Sequence, residues 1–345
     1  MPLIQDIQIT RISKPLIKHF MTSRDTARRG IVEAINLGLV LNDGSLDTAE
    51  VVTPPYICGE TLEISVKALD DVKSELIGTD VLCHRIIADV LDKFRKTAPA
   101  AMAGVEIAVW KSISRITRTP LWILWGGAKR EVITDFTISP NAKFESDLDE
   151  AVKIGFSTLK VKMGVIGKRN ELSAFRQLYD KHPNVILRVD ANQAFQPEEA
   201  LEVIDEIRSI GLQLELMEQP TSAHDLQALR RVTEMSPVPI IADESVRTFS
   251  DALRIYEEQA AHGYNIKLMK SGISQAMSMV ALAQATGMRL MLGCMMEGMA
   301  NIEVSLAFAC GTGAFDFIDL DSFMFFQDDG SDVFFKSKGE RLMMG

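Results

Sequence analysis

The chain has 345 residues, enough for one large domain or for a domain with a substantial appendage. At 47% hydrophobic and 24% charged it has the composition of a packed globular protein, which excludes disorder, collagen-like repeats and a disulfide scaffold. The formal net charge of −10, with no basic run to follow a phosphate backbone, argues against nucleic acid as a partner.

The four cysteines, Cys58, Cys83, Cys294 and Cys310, have neither CxxC spacing nor companion histidines. Thiolate metal sites and disulfides are therefore not expected, and a reducing cytoplasm is. The segment MPLIQDIQITRISKPLIKHF carries charges throughout and lacks the apolar block of a signal peptide. The most apolar stretch, roughly 278–315, is interrupted by Arg289, Glu297 and Glu303, so no membrane span is expected.

Residues 1 to about 53 read as strands: QDIQITRI alternates, and Asn42-Asp43-Gly44 is a hairpin turn between apolar runs. From 61 to about 117 the period changes. Leu62, Val66, Leu69 and Val72, then Ile86, Ile87, Val90, Leu91 and Phe94, then Val105, Ala108, Val109 and Ile113 recur at helical spacing. LWILWGG at 121–127 closes this α+β module. From about 131 short β-rich runs alternate with helical segments: VITDFTIS, STLKVKM, VILRVDA, LELMEQP, PIIADES, YNIKLMK, RLMLGCM and FDFIDLD. Eight such units predict an α/β fold, a parallel (β/α) barrel of TIM type after an N-terminal α+β module. The expected division is the α+β module at 1–130, completed by 322–345, and the barrel at 131–321.

The polar residues that close these strands are Lys162, Asp190, Glu218, Asp243, Lys267, Glu297 and Asp319, spaced by subtraction 22 to 30 residues apart. In a barrel all of them converge on one mouth, the face where barrel enzymes keep their chemistry. Asp190, Glu218 and Asp243 end three successive strands. One such acid is readily explained as a helix cap. Three in register would repel one another unless a cation sits between them, and oxygen ligands without His or Cys suit a hard ion such as Mg²⁺. Lys160 and Lys162 lie two apart on one strand and so point the same way, into the barrel. Lys267 follows four strands later, across the barrel from Lys162. Buried lysines are costly unless paired or functional. Lys270 is expected on the rim, outside the chemistry.

The set and order of these motifs, KVK at 160–162, DAN at 190–192, EQP at 218–220, DES at 243–245, NIKLMK at 265–270 and CMMEG around Glu297, resembles the enolase superfamily, specifically its muconate-lactonising-enzyme-like subgroup. The resemblance spans nearly the whole chain and implies a modified (β/α) TIM-type barrel that carries the chemistry, with the N-terminal α+β module as its capping domain. Asp319 and Asp321 in DFIDLDS refine it, because an Asp-x-Asp after the eighth strand marks the dipeptide epimerases. Two carboxylates on one face can hold an α-ammonium group through charge-assisted hydrogen bonds.

What the resemblance implies is 1,1-proton transfer at the α-carbon of the C-terminal residue of a dipeptide, with one Mg²⁺ per subunit on Asp190, Glu218 and Asp243. The substrate carboxylate would meet the ion and Lys160, where the enediolate's charge grows. Lys162 and Lys267 would serve opposite faces of the α-carbon, with a lysine pKa lowered toward ~7–8 for the base. Asp319 and Asp321 would bind the ammonium, and Asn192 and Glu297 would orient ligands or Lys267. Thr137, Ser139, Met295 and Met296 are expected to line the pocket.

The loop FMTSRDT sets side-chain preference in this reading. Arg24 would hold an acidic side chain, as in family members that act on L-Ala-D/L-Glu; a register shifted by one would present Asp25 and favour a cationic one. In PPYICGET, Cys58 stands where relatives often carry Thr, and the C-terminus lacks the Pro-Gly-rich tail common in the family. The expected partners are a dipeptide and further copies of the chain, with neither nucleic acid nor membrane. Competing readings are an o-succinylbenzoate synthase, N-acylamino-acid racemase or muconate cycloisomerase on the same scaffold, a Schiff-base lyase using Lys267, and a non-catalytic small-molecule binding protein.

Overall fold

The computed structural model of the protein describes residues 1–20, 29–53, 55–139, 141, 143–327 and 333–345. β1 (Ile4–Phe20), β2 (Arg29–Leu41) and β3 (Leu46–Val52) form an antiparallel sheet in chain order. The expected turn joins the last two strands: Gly44 adopts φ 82°, and the Asp43 carboxylate accepts the Ser45 N–H at 2.9 Å. A left-handed residue costs glycine nothing here, which is why the turn holds the register.

Then come α1 (Pro55–Cys58), α2 (Leu62–Leu76), α3 (His84–Arg95), α4 (Pro99–Thr117) and α5 (Leu121–Leu124). The Thr61 hydroxyl caps α2 by accepting the Ile64 N–H at 3.4 Å. The apolar stripes predicted for α2 and α3 are buried at Leu69, Val72, Ile87 and Leu91, whereas Ile86 stands 58% exposed on the outer side. α4 is buried along most of its length because it lies between β3 and the barrel helix α11 (Leu268–Thr286). Gly104 makes the approach to the sheet possible: a Cβ there would lie 2.5 Å from Val51 Cγ2.

The second half of the chain alternates strand and helix: β4 (Glu131–Ile133), β5 (Phe136–Ile138), α6 (Phe144–Lys153), β6 (Thr158–Lys162), α7 (Lys168–Lys181), β7 (Ile186–Asp190) and α8 (Pro197–Ile210). It continues with β8 (Gln213–Glu218), α9 (Leu226–Met235), β9 (Ile240–Ala242), α10 (Phe249–Glu257), β10 (Gly263–Ile266), α11, β11 (Arg289–Leu292), α12 (Met299–Thr312) and β12 (Phe317–Ile318). β5 to β12 form one parallel eight-stranded sheet, each strand beside its neighbours in sequence.

The first and last strands meet where the Asp135 N–H donates to the Ile318 carbonyl at 3.2 Å and Arg188 donates to both Ile318 O and Asp135 Oδ2 at 2.8 Å. Inside, Leu216, Ile241, Met291 and Phe317 fill a separate apolar layer, as barrels require. The barrel is modified at its end: a 3₁₀ turn (Ser322–Phe325) follows β12 in place of an eighth helix.

VITDFTIS, predicted as one strand, is two. The backbone changes partners between them: Thr134 N–H donates to Glu340 O and Asp135 N–H to Ile318 O. β4 consequently joins the C-terminal hairpin of β13 (Phe335–Lys338) and β14 (Arg341–Met344), in the order β13-β14-β4, while β5 opens the barrel. Phe326 bridges to Leu16 on β1 and takes Lys14 Nζ over its ring at 4.5 Å.

The cap sheet is fastened to the mouth of the barrel by Glu50. Its N–H and carbonyl are both bonded to the Asn301 amide, at 3.0 and 2.7 Å, and its carboxylate accepts the Gly298 N–H at 3.1 Å. Among the described residues no helix is long and apolar enough to cross a membrane.

Candidate active site

Parallel pairing places the charged strand ends side by side. Lys162, Asp190 and Glu218 are register partners on β6, β7 and β8, and Asp243 follows β9. Oxygens of Asp190, Glu218 and Asp243 all lie within 4.8 Å of one another, and the three residues are fully buried. Burial, reinforced by the neighbouring Asp190 charge, pushes the Glu218 carboxyl up to about 7. Burial acts on Asp243 in the same direction, yet Lys267 and Lys270 hold its carboxyl well below the usual carboxylate range.

Glu218 Oε2 lies 2.6 Å from Lys160 Nζ but takes part in no hydrogen bond among the described residues, while its Oε1 accepts from Asn265 Nδ2 at 2.7 Å. A buried all-oxygen trio with an oxygen unclaimed by any hydrogen bond fits a hard divalent cation such as Mg²⁺.

The lysines interleave with these acids. Lys160 Nζ is 2.6 Å from Glu218 and from Asp319 and 3.5 Å from Asp190. Lys162 donates to Asp190 Oδ2 at 2.5 Å and Lys267 to Asp243 Oδ2 at 2.8 Å. The expected fall of a lysine pKa is not what this arrangement produces at Lys267. Burial lowers it, but Asp243 and Glu218 outweigh burial and carry it above the ordinary lysine range. A carboxylate at contact distance acts more strongly on the ammonium than the loss of water does.

A cavity of about 310 Å³ opens between barrel and cap. Its floor holds Thr137, Lys162, Asn192, Lys267, Asp319 and Asp321, with Met295 and Cys294 beside them. Lys160, Asp190 and Asp243 are buried as hydrogen-bond partners of the floor residues Asp319, Lys162 and Lys267, and Glu218 lies beside Lys160. Asp321 Oδ2 accepts the Thr137 N–H at 2.5 Å, and Asp319 Oδ1 accepts from the Thr137 hydroxyl at 3.4 Å. Burial and the adjacent Asp319 raise Asp321 to about 7, whereas Lys160 and its fellow lysines overcome burial at Asp319 and draw it down to about 2.

Asn192 sits in the left-handed region at φ 43°, which lets its N–H turn back onto Asp190 Oδ1 at 2.9 Å while its amide donates to Glu244 at 3.2 Å. Glu297 accepts from the Met295 N–H at 2.9 Å and from Asn301 at 3.0 Å, joining the mouth to the Glu50 anchor. Arg24 and Asp25 lie outside the described residues.

Two buried groups escaped the sequence reading. Lys270, placed there on the rim, is 1% exposed and donates to Asp243 Oδ1 at 2.5 Å, Asp243 O at 2.8 Å and Asn265 O at 3.0 Å. Its i, i+3 spacing from Lys267 at a helix start was the available signal, since that spacing puts both on one face. Glu244, inside the DES motif, is raised to about 7 by burial and the surrounding acids, and its Oε2 has no hydrogen-bond partner among the described residues.

Residues 143–339 match the family model of enolase C-terminal domain-like proteins, and the chain belongs to that family. It is 35% identical to an L-Ala-D/L-Glu epimerase of Clostridium acetobutylicum over 92% of this chain and 90% of that protein. Among solved structures it superposes at a TM-score of 0.95 on a substrate complex of the L-Ala-D/L-Glu epimerase of Bacillus subtilis, at 29% identity and covering 99% and 96% of the two chains. A dipeptide epimerase of Enterococcus faecalis, solved with Mg and L-Leu-L-Tyr, gives 0.92 at 27% identity, covering 100% and 98%.

Proposed function

We propose that the protein is a Mg²⁺-dependent dipeptide epimerase that moves a proton at the α-carbon of the C-terminal residue. The observation that carries this is the pair Lys162 and Lys267, brought from strands four apart to the floor of one cavity that also presents Asp319 and Asp321. The relatives and neighbours above, at 27–35% identity, support it through their epimerase names and the dipeptide and Mg in the complex. In this reading residues 1–130, with the C-terminal stretch, form the cap that encloses substrate, and 131–321 the barrel that carries the chemistry.

Asp190, Glu218 and Asp243 hold the ion, which when bound supplies fixed positive charge against the negative charge developing on the substrate carboxylate. Lys160 adds its ammonium to the same carboxylate. Asp319 and Asp321 take the α-ammonium and fix the peptide's direction. One lysine, as the free amine, accepts the α-proton onto Nζ; the other, as the ammonium, delivers a proton to the opposite face of the enediolate, and the two exchange roles for the other isomer.

The test is a dipeptide library in deuterated water with Mg²⁺. Gain of one deuterium at the C-terminal α-carbon with inversion is the expected result, and Lys162→Ala and Lys267→Ala should each stop inversion while leaving exchange from one isomer. No exchange from any dipeptide, or faster exchange from N-acylated amino acids, would overturn the assignment.

A further inference from the structure

The helix that follows Lys267 is broken after one turn, and the break is held from the cap. Within α11, Gly272 adopts φ 72° and ψ 171°, so Leu268–Ser271 form a separate turn before the long helix resumes at Ile273. The resumed helix is capped by a side chain from the other half of the molecule. Glu106 of α4 accepts the Ile273 N–H at 2.6 Å through Oε2 and the Ser274 hydroxyl at 2.6 Å through Oε1. Arg95 of α3 donates to the Ser271 carbonyl at 2.7 Å, closing the end of the short turn, and lies 3.4 Å from Glu106.

Both side chains are buried, at 6% and 3% exposure, and the fit leaves no slack. A Cβ on Gly272 would come within 2.1 Å of Glu106 Oε2 and 2.4 Å of Arg95 Nη1. Such a conformation is close to glycine-only, so both the backbone and the space require that residue.

What the clamped turn carries is the chemistry. Lys267 is its N-cap and Lys270 its third residue; the Lys267 carbonyl accepts the Lys270 and Ser271 N–H groups at 2.8 and 3.3 Å and the Ser271 hydroxyl at 3.1 Å. Both amines end on Asp243. We infer that Arg95 and Glu106 are positioning residues for the reaction: the cap helices hold the Ser271–Ile273 break and through it set where Lys267 Nζ stands beneath the substrate. The cap then does more than enclose the dipeptide, because it fixes one of the two proton-transfer groups. Lys162 stands instead on β6, while the clamp's hydrogen bonds go to Ser271, Ile273 and Ser274 of α11, so the two faces of the α-carbon depend on different supports.

That asymmetry supplies the test, which rests on the epimerase reading. Exchange of the α-proton for deuterium is followed at early times from each epimer of one good dipeptide, with Mg²⁺, in wild type, Lys267→Ala and Glu106→Ala. A displacement near an ångström at a reacting group costs on the order of a hundredfold. Glu106→Ala should slow exchange about that much for the isomer that Lys267→Ala also silences, leave the other isomer within about threefold, and lower kcat with little change in KM. Glu106→Gln keeps an acceptor for the Ile273 N–H and should restore most of the lost rate.

Should Glu106→Ala prove insoluble, Glu106→Gln decides alone through the same ratio, with a several-fold bias against the Lys267-side isomer expected. Equal slowing of both isomers, or of neither, would overturn the positioning role while leaving the epimerase reading intact. Wild-type protein that exchanges neither isomer overturns both.

Discussion

Lys160 and Asp319 hold each other at 2.6 Å at the barrel mouth, joining the second strand to the end of the eighth on either side of the first. In the proposed complex the pair would part, Lys160 meeting the substrate carboxylate and Asp319 its ammonium. Each therefore enters catalysis already charged and desolvated, and substrate exchanges one ionic partner for another instead of stripping water from a free charge. Lys160 also compensates Glu218 and Asp190. Removing one member of a buried charged cluster leaves the rest uncompensated and costs about 3–5 kcal/mol. Lys160→Met should lower unfolding free energy by that amount in urea titrations with chelator present, and by less with Mg²⁺. A change under about 1 kcal/mol in both conditions would contradict the charge balance described.

Metal dependence follows from the crowding of Asp190, Glu218 and Asp243 within 4.8 Å. Chelation should abolish turnover and Mg²⁺ restore it. Independently of activity, titration calorimetry should show one site per chain that is lost in Asp243→Asn. Undiminished turnover in a metal-free preparation would refute the assignment.

Burial and Asp319 raise the Asp321 carboxyl to about 7. Being an acid with a raised pKa, it is neutral below that pH and charged above, so its grip on an ammonium strengthens as pH rises. A free dipeptide amine loses its proton near 8. The pH profile of kcat/KM should therefore be a narrow bell, climbing through about 7 and falling beyond about 8. Asp321→Asn should raise KM and erase the climbing limb, and N-acetylation of the dipeptide should raise KM steeply by removing the charge the pair satisfies. A flat profile from pH 6 to 8 would count against the role.

The cap wall of the cavity is apolar at Leu16, Val32, Val52 and Ile57, but carries Glu33 and Glu63. Glu63 is paired with Arg11 at 3.3 Å, whereas Glu33 accepts only the neutral Ser13 hydroxyl at 2.8 Å among the described residues. Glu33→Gln should raise kcat/KM for Ala-Glu and lower it for Ala-Lys, roughly two- to fivefold each way, the size of an exposed charge effect. Identical changes for both substrates would mean that Glu33 acts through packing.

The charged ends of the barrel strands were open to sequence reading because parallel pairing turns a periodic list into a ring. Once KVK, RVDAN, LMEQP and IADES are strands of one barrel, their terminal side chains must meet at one mouth, whatever the helices between them contain. The turn at Gly44 and the stripes of α2 and α3 are equally local, decided by residues a few positions apart. The split of VITDFTIS was not legible, because Glu131–Ile133 takes its partner from the far C-terminal strand β14 while Phe136–Ile138 pairs with the next barrel strand, β6.

The burial of Lys270, the anchoring of the cap by Glu50 and Asn301, and the clamp of Glu106 and Arg95 on Gly272 likewise join residues 27 to 251 positions apart or in different halves of the chain. Sequence periodicity reports which face of an element seeks burial. Which partner satisfies a buried charge is settled only when the elements pack, since the nearest opposite charge in space has no fixed separation along the chain.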